Sequence, residues 1–131
     1  MRLVVDASAI VPFVSDERGS RDLAPLLAAG HELHVPAVCD CEVVGGLAKQ
    51  VRSGWVTSAI ARDALIDYVS LPVARHLHLG LVARTFELSA NFAAADASYV
   101  ALAEVLDARL VTLDGALGRA VRQHTNIEVL P

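Results

Sequence analysis

Two aspartates close two short apolar runs: Asp6 follows Arg2-Leu3-Val4-Val5, and Asp114 follows Arg109-Leu110-Val111-Thr112-Leu113. A single acid at such a place is accounted for as a turn or helix-capping residue. Two of them, each ending an arginine-led apolar run, point to two buried strands that discharge onto acids. Asp96 opens the alanine-rich stretch Ala93 to Leu106, and Glu42 lies inside the apolar segment Val38 to Leu47. Each also has a plainer reading. A helix dipole favours an acid near its N-terminus by about 0.3 to 1 kcal/mol, which suffices for Asp96. A solvated helix face suffices for Glu42, beside which stands Asp40. Asp40 and Glu42 differ by about 200° around a helix, so only one of them can face inward.

Convergence of the four acids would have a definite chemical consequence. At roughly 5 Å and an effective dielectric near 20, each ionised pair repels by about 3 kcal/mol. Six such pairs approach 20 kcal/mol, above the roughly 5 to 15 kcal/mol stability of a typical domain. A cation or proton uptake must relieve them. Oxygen ligands with open positions suit Mg²⁺ or Mn²⁺ rather than zinc. Such an ion can generate a hydroxide-like nucleophile and neutralise charge on a phosphodiester, so the chemistry suggested is phosphodiester hydrolysis.

The elements that must position these acids alternate. Strands are expected at Arg2 to Val5, His31 to Pro36, Leu71 to Leu77, Arg109 to Leu113 and Ile127 to Leu130. Between them, helices are expected from Ala7 onward, at Arg21 to Ala29 closed by Gly30, at Ala37 to Arg52, from a Thr57 cap to about Ser70, at His78 to Ser89, at Ala93 to Leu106 and at Gly115 to Arg122, with a turn at Asp16 to Ser20. Parallel neighbours need helical crossovers, so the pattern predicts an α/β fold with a mostly parallel sheet and helices on both faces. Ligands of such sheets bind outside the carboxyl ends of the strands, which places Asp6 and Asp114 on one edge.

Length and composition bound the rest. At 131 residues the chain fits one domain, residues 1–131, large enough to need no disulfide or structural metal. Its 54% hydrophobic share, with 20% charged residues, excludes disorder. Twenty-two alanines favour close helix packing, and the apolar excess leaves surface for a partner. No run is long and apolar enough to cross a membrane, no leader or anchor is recognised, and Cys39 and Cys41 point apart on a helix as reduced thiols, so a cytoplasmic protein is expected. The net charge of −4 argues against an electrostatic nucleic-acid binder; yet setting aside four metal-site acids gives −4 + 4 = 0, and the arginines can still form a basic rim.

Taken together, Val5-Asp6-Ala7-Ser8, Pro36 with Glu42 six residues on, Ala94-Ala95-Asp96-Ala97-Ser98-Tyr99-Val100-Ala101-Leu102-Ala103 and Leu110-Val111-Thr112-Leu113-Asp114 resemble the PIN-domain family, and within it the VapC-type ribonuclease toxins of type II toxin-antitoxin pairs. The likeness covers nearly the whole chain, and the Asp96 segment is its most specific part. It implies a three-layer α/β/α sandwich and endonucleolytic RNA cleavage that depends on Mg²⁺ or Mn²⁺. It further implies a cognate VapB-like antitoxin that inhibits the enzyme, and a homodimer. Asp6, Glu42, Asp96 and Asp114 take the metal-binding and catalytic roles, and Ser8 and Thr112 are supporting hydroxyls. Two positions depart from the pattern. Gly45 stands where relatives often carry asparagine, and Ala116 where an arginine is common, which bears on substrate contacts.

Other residues invite competing stories. The pairs His31/His34 and His76/His78 lack a third metal ligand, and Trp55 reads as a buried anchor more readily than as an RNA-stacking platform. Tyr99, one turn after Asp96, can pack beside the site or simply fill the core. Ser8 lacks a nucleophile-elbow signature. A phosphoryl-accepting receiver would carry an acidic pair and a late lysine, whereas Ala7 follows Asp6 and Lys49 is the only lysine. An Asp-x-Asp phosphatase is disfavoured by Ser8. The remaining alternative is a catalytically silent module of the same fold that binds an antitoxin or RNA.

Overall fold

In the computed structural model, which describes residues 1–15 and 23–131, five parallel strands form one sheet. The strands are β1 (Arg2–Val5), β2 (Glu32–Pro36), β3 (Val73–His76), β4 (Arg109–Val111) and β5 (Val129–Leu130). The helices are α1 (Ala7–Ser15), α2 (Ala24–Ala28), α3 (Val38–Arg52), α4 (Ser58–Ser70), α5 (Val82–Leu88), α6 (Ala94–Leu106) and α7 (Gly115–His124), with a 3₁₀ turn at Leu79–Leu81 before α5. The turn expected at Asp16 to Ser20 and the start of the helix expected from Arg21 lie outside the described residues.

The sheet order is β3-β2-β1-β4-β5. The chain therefore builds outward from β1 to β3, then returns to lay β4 on the other side of β1. Right-handed crossovers put α1, α3 and α4, which pack on one another, on one face, and the α5–α6 pair on the other. The result is a three-layer α/β/α sandwich. β1 lies at the centre, and Leu3, Val4 and Val5 are all fully buried. Unbroken apolar runs of this kind suit strands covered on both faces.

Register does the positioning. Val5 pairs with Val111, and the Asp6 N–H continues the ladder to the Val111 carbonyl at 2.9 Å. The two arginine-led strands are thus direct neighbours, and their acids leave the same edge at the point where the strand order reverses, the place where open α/β sheets bind ligands. α6 lies deep in the molecule, with Ala97 to Ala103 all buried, because its alanines allow neighbouring backbones to approach closely.

Local chemistry sets the element ends. The Thr57 hydroxyl accepts from the Ile60 N–H and caps α4. Gly30 and Gly54 hold φ of +76°, a conformation that favours glycine, after α2 and α3. One expectation is overturned: Trp55 is 80% exposed rather than buried, because the turn after α3 projects its indole away from the α3–α4 corner while Val56 packs on the core in its place. The third strand is shorter than expected, and the helix expected from His78 begins as a 3₁₀ turn.

Candidate active site

A cleft of about 390 Å³ opens at the carboxyl ends of β1 and β4. Asp6, Glu42, Asp96 and Asp114 all line it, together with Ala7, Ser8, Val11, Pro12 and Gly46. The four acids that the sequence singles out therefore meet in one place, from the end of β1, the second turn of α3, the first turn of α6 and the N-terminus of α7. A larger cleft of about 560 Å³ lies elsewhere, but its charges are largely paired with one another, Arg84 with Glu104 and Arg109 with Glu128.

Asp6 is buried and firmly held. Ser8 Oγ donates to its Oδ2 at 2.6 Å and Thr112 Oγ1 donates to the same atom at 2.9 Å. With both hydroxyl protons committed, the 3.1 Å approach of Ser8 to Thr112 carries no proton of its own. Each hydroxyl then accepts a backbone N–H, Ser8 from Leu113 at 2.9 Å and Thr112 from Asp114 at 3.0 Å. Two N–H groups of the β4–α7 loop are thus relayed through two side chains onto one carboxylate oxygen. Asp114 caps α7, accepting from the Ala116 and Leu117 N–H groups through its Oδ1.

Glu42 and Asp40 part company as a 200° separation requires. Asp40 turns away from the cleft to accept from the Tyr68 hydroxyl and from Arg75 Nε, the latter at 2.8 Å. Glu42 faces the cleft, and its Oε1 accepts from the Tyr99 hydroxyl at 2.7 Å. Tyr99 is fully buried, so its ring fills the core while its hydroxyl fixes an acid at the cleft. Of the two roles its position one turn after Asp96 allows, packing beside the site or filling the core, Tyr99 takes both, and its bond to Glu42 is the part no local signal gives.

The electrostatics record the crowding. The Asp96 carboxyl is pushed up to about 6, first by burial and then by the charges of Asp6, Glu42 and Asp114. Glu42 is raised too, chiefly by burial, with the Tyr99 hydrogen bond opposing. Only oxygen donors face the cleft, which fits a hard divalent cation. Among the described residues no group of three His, Cys, Asp or Glu side chains is placed to hold a metal ion as it stands, and Asp6, Glu42 and Asp114 each have their own hydrogen-bond donors. Mg²⁺ keeps much of its water and takes only one or two carboxylates directly, so it asks less of these acids than a closed set of protein ligands would.

The two departures are also placed. A Cβ at Gly45 would meet open space, whereas one at Gly46 would lie 2.9 Å from Val11 Cγ2, where α1 and α3 close on each other at the cleft. Ala116 is exposed on the first turn of α7. The histidines gather elsewhere: His34 Nδ1 lies 2.9 Å from His76 Nε2 across β2 and β3, and His78 Nε2 accepts the Val38 N–H at 3.0 Å. Cys39 is buried and Cys41 exposed, both free.

Known proteins resemble the chain in sequence and in fold. The chain is 38% identical over 129 residues to the VapC ribonuclease Mb0985 of Mycobacterium bovis, covering 98% of each chain. Its fold is similar to that of PAE2754 from Pyrobaculum aerophilum, with a TM-score of 0.69 at 22% identity over 98% of this chain and 83% of that one. It is also similar to VapBC2 from Rickettsia felis, solved bound to a promoter DNA fragment, with a TM-score of 0.70 at 14% identity over 98% and 97%. A PIN domain family model matches residues 3–123. With its fold, its acid-lined strand edge and its near-full-length VapC relative, the chain belongs to the PIN domain family, in the VapC branch.

Proposed function

We propose that this protein is a metal-dependent endoribonuclease toxin that hydrolyses RNA phosphodiester bonds and is held in check by a VapB-like antitoxin. The observation that carries this reading is the meeting of Asp6, Glu42, Asp96 and Asp114 in one cleft where the strand order reverses. The ribonuclease name of the Mycobacterium bovis relative supports the substrate class. The VapC kinship supports an antitoxin partner and is the ground for proposing a homodimer, and a cytoplasmic location goes with the two free thiols.

In this reading Asp6, Glu42, Asp96 and Asp114 would hold Mg²⁺ or Mn²⁺ between them, one or two of them directly and the others through the ion's water. When bound, the ion supplies charge neutralisation at the phosphate and an activated water. The chain's own groups set the stage. Ser8 and Thr112 fix Asp6 through its Oδ2 and leave Oδ1 to neither, Tyr99 fixes Glu42, and Asp114 locks the first turn of α7. Val11 and Pro12 form an apolar shoulder on the cleft beside the acids. The same shoulder suits an amphipathic antitoxin segment that delivers an arginine to the acids.

The test is cleavage of a labelled single-stranded RNA by purified protein with Mn²⁺ or with EDTA, beside Asp6→Ala and Asp96→Ala. Wild type is expected to cut only with the ion, and each variant to fold while losing at least about 100-fold in rate. Cleavage that survives both substitutions would remove these acids from the mechanism. A folded wild type that binds RNA or antitoxin without cutting would identify a silent binding module instead.

A further inference from the structure

We propose that Arg119 is a substrate-binding residue that grips a backbone phosphate of the RNA at the rim of the acidic cleft, an assignment that rests on the ribonuclease reading above. Arg119 lies on α7, one turn beyond Asp114. Its side chain folds back toward the start of the helix, because helical side chains lean toward the N-terminus. A Cβ at position 115 would stand 3.2 Å from Arg119 Nη1 and 4.0 Å from its Cζ. The guanidinium therefore rests on the bare Cα of Gly115, the residue next to the Asp114 that lines the cleft.

This is a poor place for a cation that serves stability alone. Arg119 itself is the fifth residue of α7, but its guanidinium is drawn back over the first turn, where the helix end carries partial positive charge and disfavours a cation, whereas Arg122 and His124 occupy the last turn, where the dipole welcomes them. Arg75, Arg84 and Arg109 are each paired with an acid. Among the described residues Arg119 forms no ion pair, not even with Asp114, so its donors stay free for another anion. The opposing demand comes from the cleft itself. Four carboxylates would repel a polyanionic strand, and a bound divalent ion answers only at the phosphate being cut. An exposed guanidinium near Asp114, with its donors unpaired, can hold a neighbouring phosphate through two parallel N–H···O bonds. Gly115 gives the guanidinium room, since a Cβ there would stand 3.2 Å from Nη1 and make the guanidinium give by a few tenths of an ångström.

The experiment compares wild type, Arg119→Ala, Arg119→Lys, Gly115→Ala and Arg109→Ala, the last removing the same charge at the opposite edge of the sheet. Binding of a fluorescein-labelled single-stranded RNA of mixed sequence is followed by anisotropy in EDTA across a KCl series. Initial cleavage rates with Mn²⁺ are measured in parallel. For Arg119→Ala, KM is expected to rise on the order of tenfold with kcat little changed, and the slope of log affinity against log salt to shrink by about 0.7 to 1. Lysine at 119 keeps the salt slope but loses part of the affinity. Gly115→Ala weakens RNA binding without lowering the melting temperature, a combination that a purely structural arginine would not produce. Arg109→Ala changes neither slope nor KM. Equal KM and salt slope for Arg119→Ala and Arg109→Ala would overturn the assignment while leaving the ribonuclease reading intact. RNA binding without cleavage by wild type would sink the catalytic reading, with the anisotropy series still deciding on Arg119. A wild type that neither binds nor cuts RNA overturns both.

Discussion

Asp96 is the carboxylate whose charge the ion-free cleft tolerates least. Asp6 has two hydroxyl donors, Glu42 has the Tyr99 hydroxyl and Asp114 has two backbone N–H groups, whereas Asp96 meets burial and three like charges. Its carboxyl titrates near 6 in the folded chain against an ordinary value of 3.8. Between those values the folded state binds more protons than the unfolded one, so stability without divalent ions falls as pH rises from about 4 to just above 6. Asp96→Asn removes its share of that fall and leaves the part that Glu42, also raised by burial, contributes. Above pH 7 in EDTA the variant should be the more stable by on the order of 1 kcal/mol, because water in the open cleft screens much of the repulsion. Urea midpoints from pH 4 to 8 check this, and a variant less stable than wild type at pH 7.5 would mean that Asp96 makes a favourable contact. Adding Mn²⁺ should reverse the order, since the ion gains from the charge that the empty cleft resists.

At the scale of elements, α3 decides where Glu42 points, and it has no capping side chain of its own at Ala37. Its first N–H groups are satisfied from β3 and the turn beyond, Ala37 by the His76 carbonyl at 2.8 Å and Val38 by His78 Nε2 at 3.0 Å. His78→Ala should cost about 0.5 to 2 kcal/mol, a fall of roughly 2 to 8 °C in melting temperature, with a matching loss of cleavage rate as α3 frays toward Glu42. His78→Gln, whose amide oxygen reaches about as far, should restore much of both; a glutamine variant no better than alanine would refute the capping role. This contact also marks the boundary of what the sequence discloses. The strands and helices were legible because apolar periodicity and turn residues are local signals, and the acid-bearing edge was legible because β1 and β4 announce themselves as buried strands. The cap on α3 and the Tyr99–Glu42 bond join residues 40 and 57 positions apart, so no local pattern encodes them. Trp55 misled for the same reason, since a large apolar side chain signals burial only where the fold supplies a surface to cover it.

At the scale of the whole molecule, the apolar excess surfaces where the sandwich has nothing left to cover. Leu77, Leu79, Val82 and Phe86, on the turn after β3 and on α5, are all exposed, Leu79 and Phe86 at 87% and 80%. Val82 and Phe86 border an apolar cleft of about 250 Å³ that ends at Ala94, the first residue of α6. A monomer that left this side chain cluster in water would carry an association hazard, and the homodimer of the proposed toxin offers a closed, symmetric way to bury it. Stable dimers bury roughly 800 Å² per partner, so a central aromatic such as Phe86 would contribute a large share of the affinity. Light scattering after gel filtration should therefore give a dimer for wild type and a monomer for Phe86→Glu at the same concentration, with α6 and the acidic cleft intact by circular dichroism and Mn²⁺ binding. A monomeric wild type would remove the dimer from the reading and leave the patch to another partner. A dimer indifferent to Phe86→Glu would place the interface on a different face. If the monomeric variant binds Mn²⁺ as wild type does yet cuts RNA more slowly, the loss lies in the strand's path across two clefts and not in the acids, because α5 reaches them only through α6.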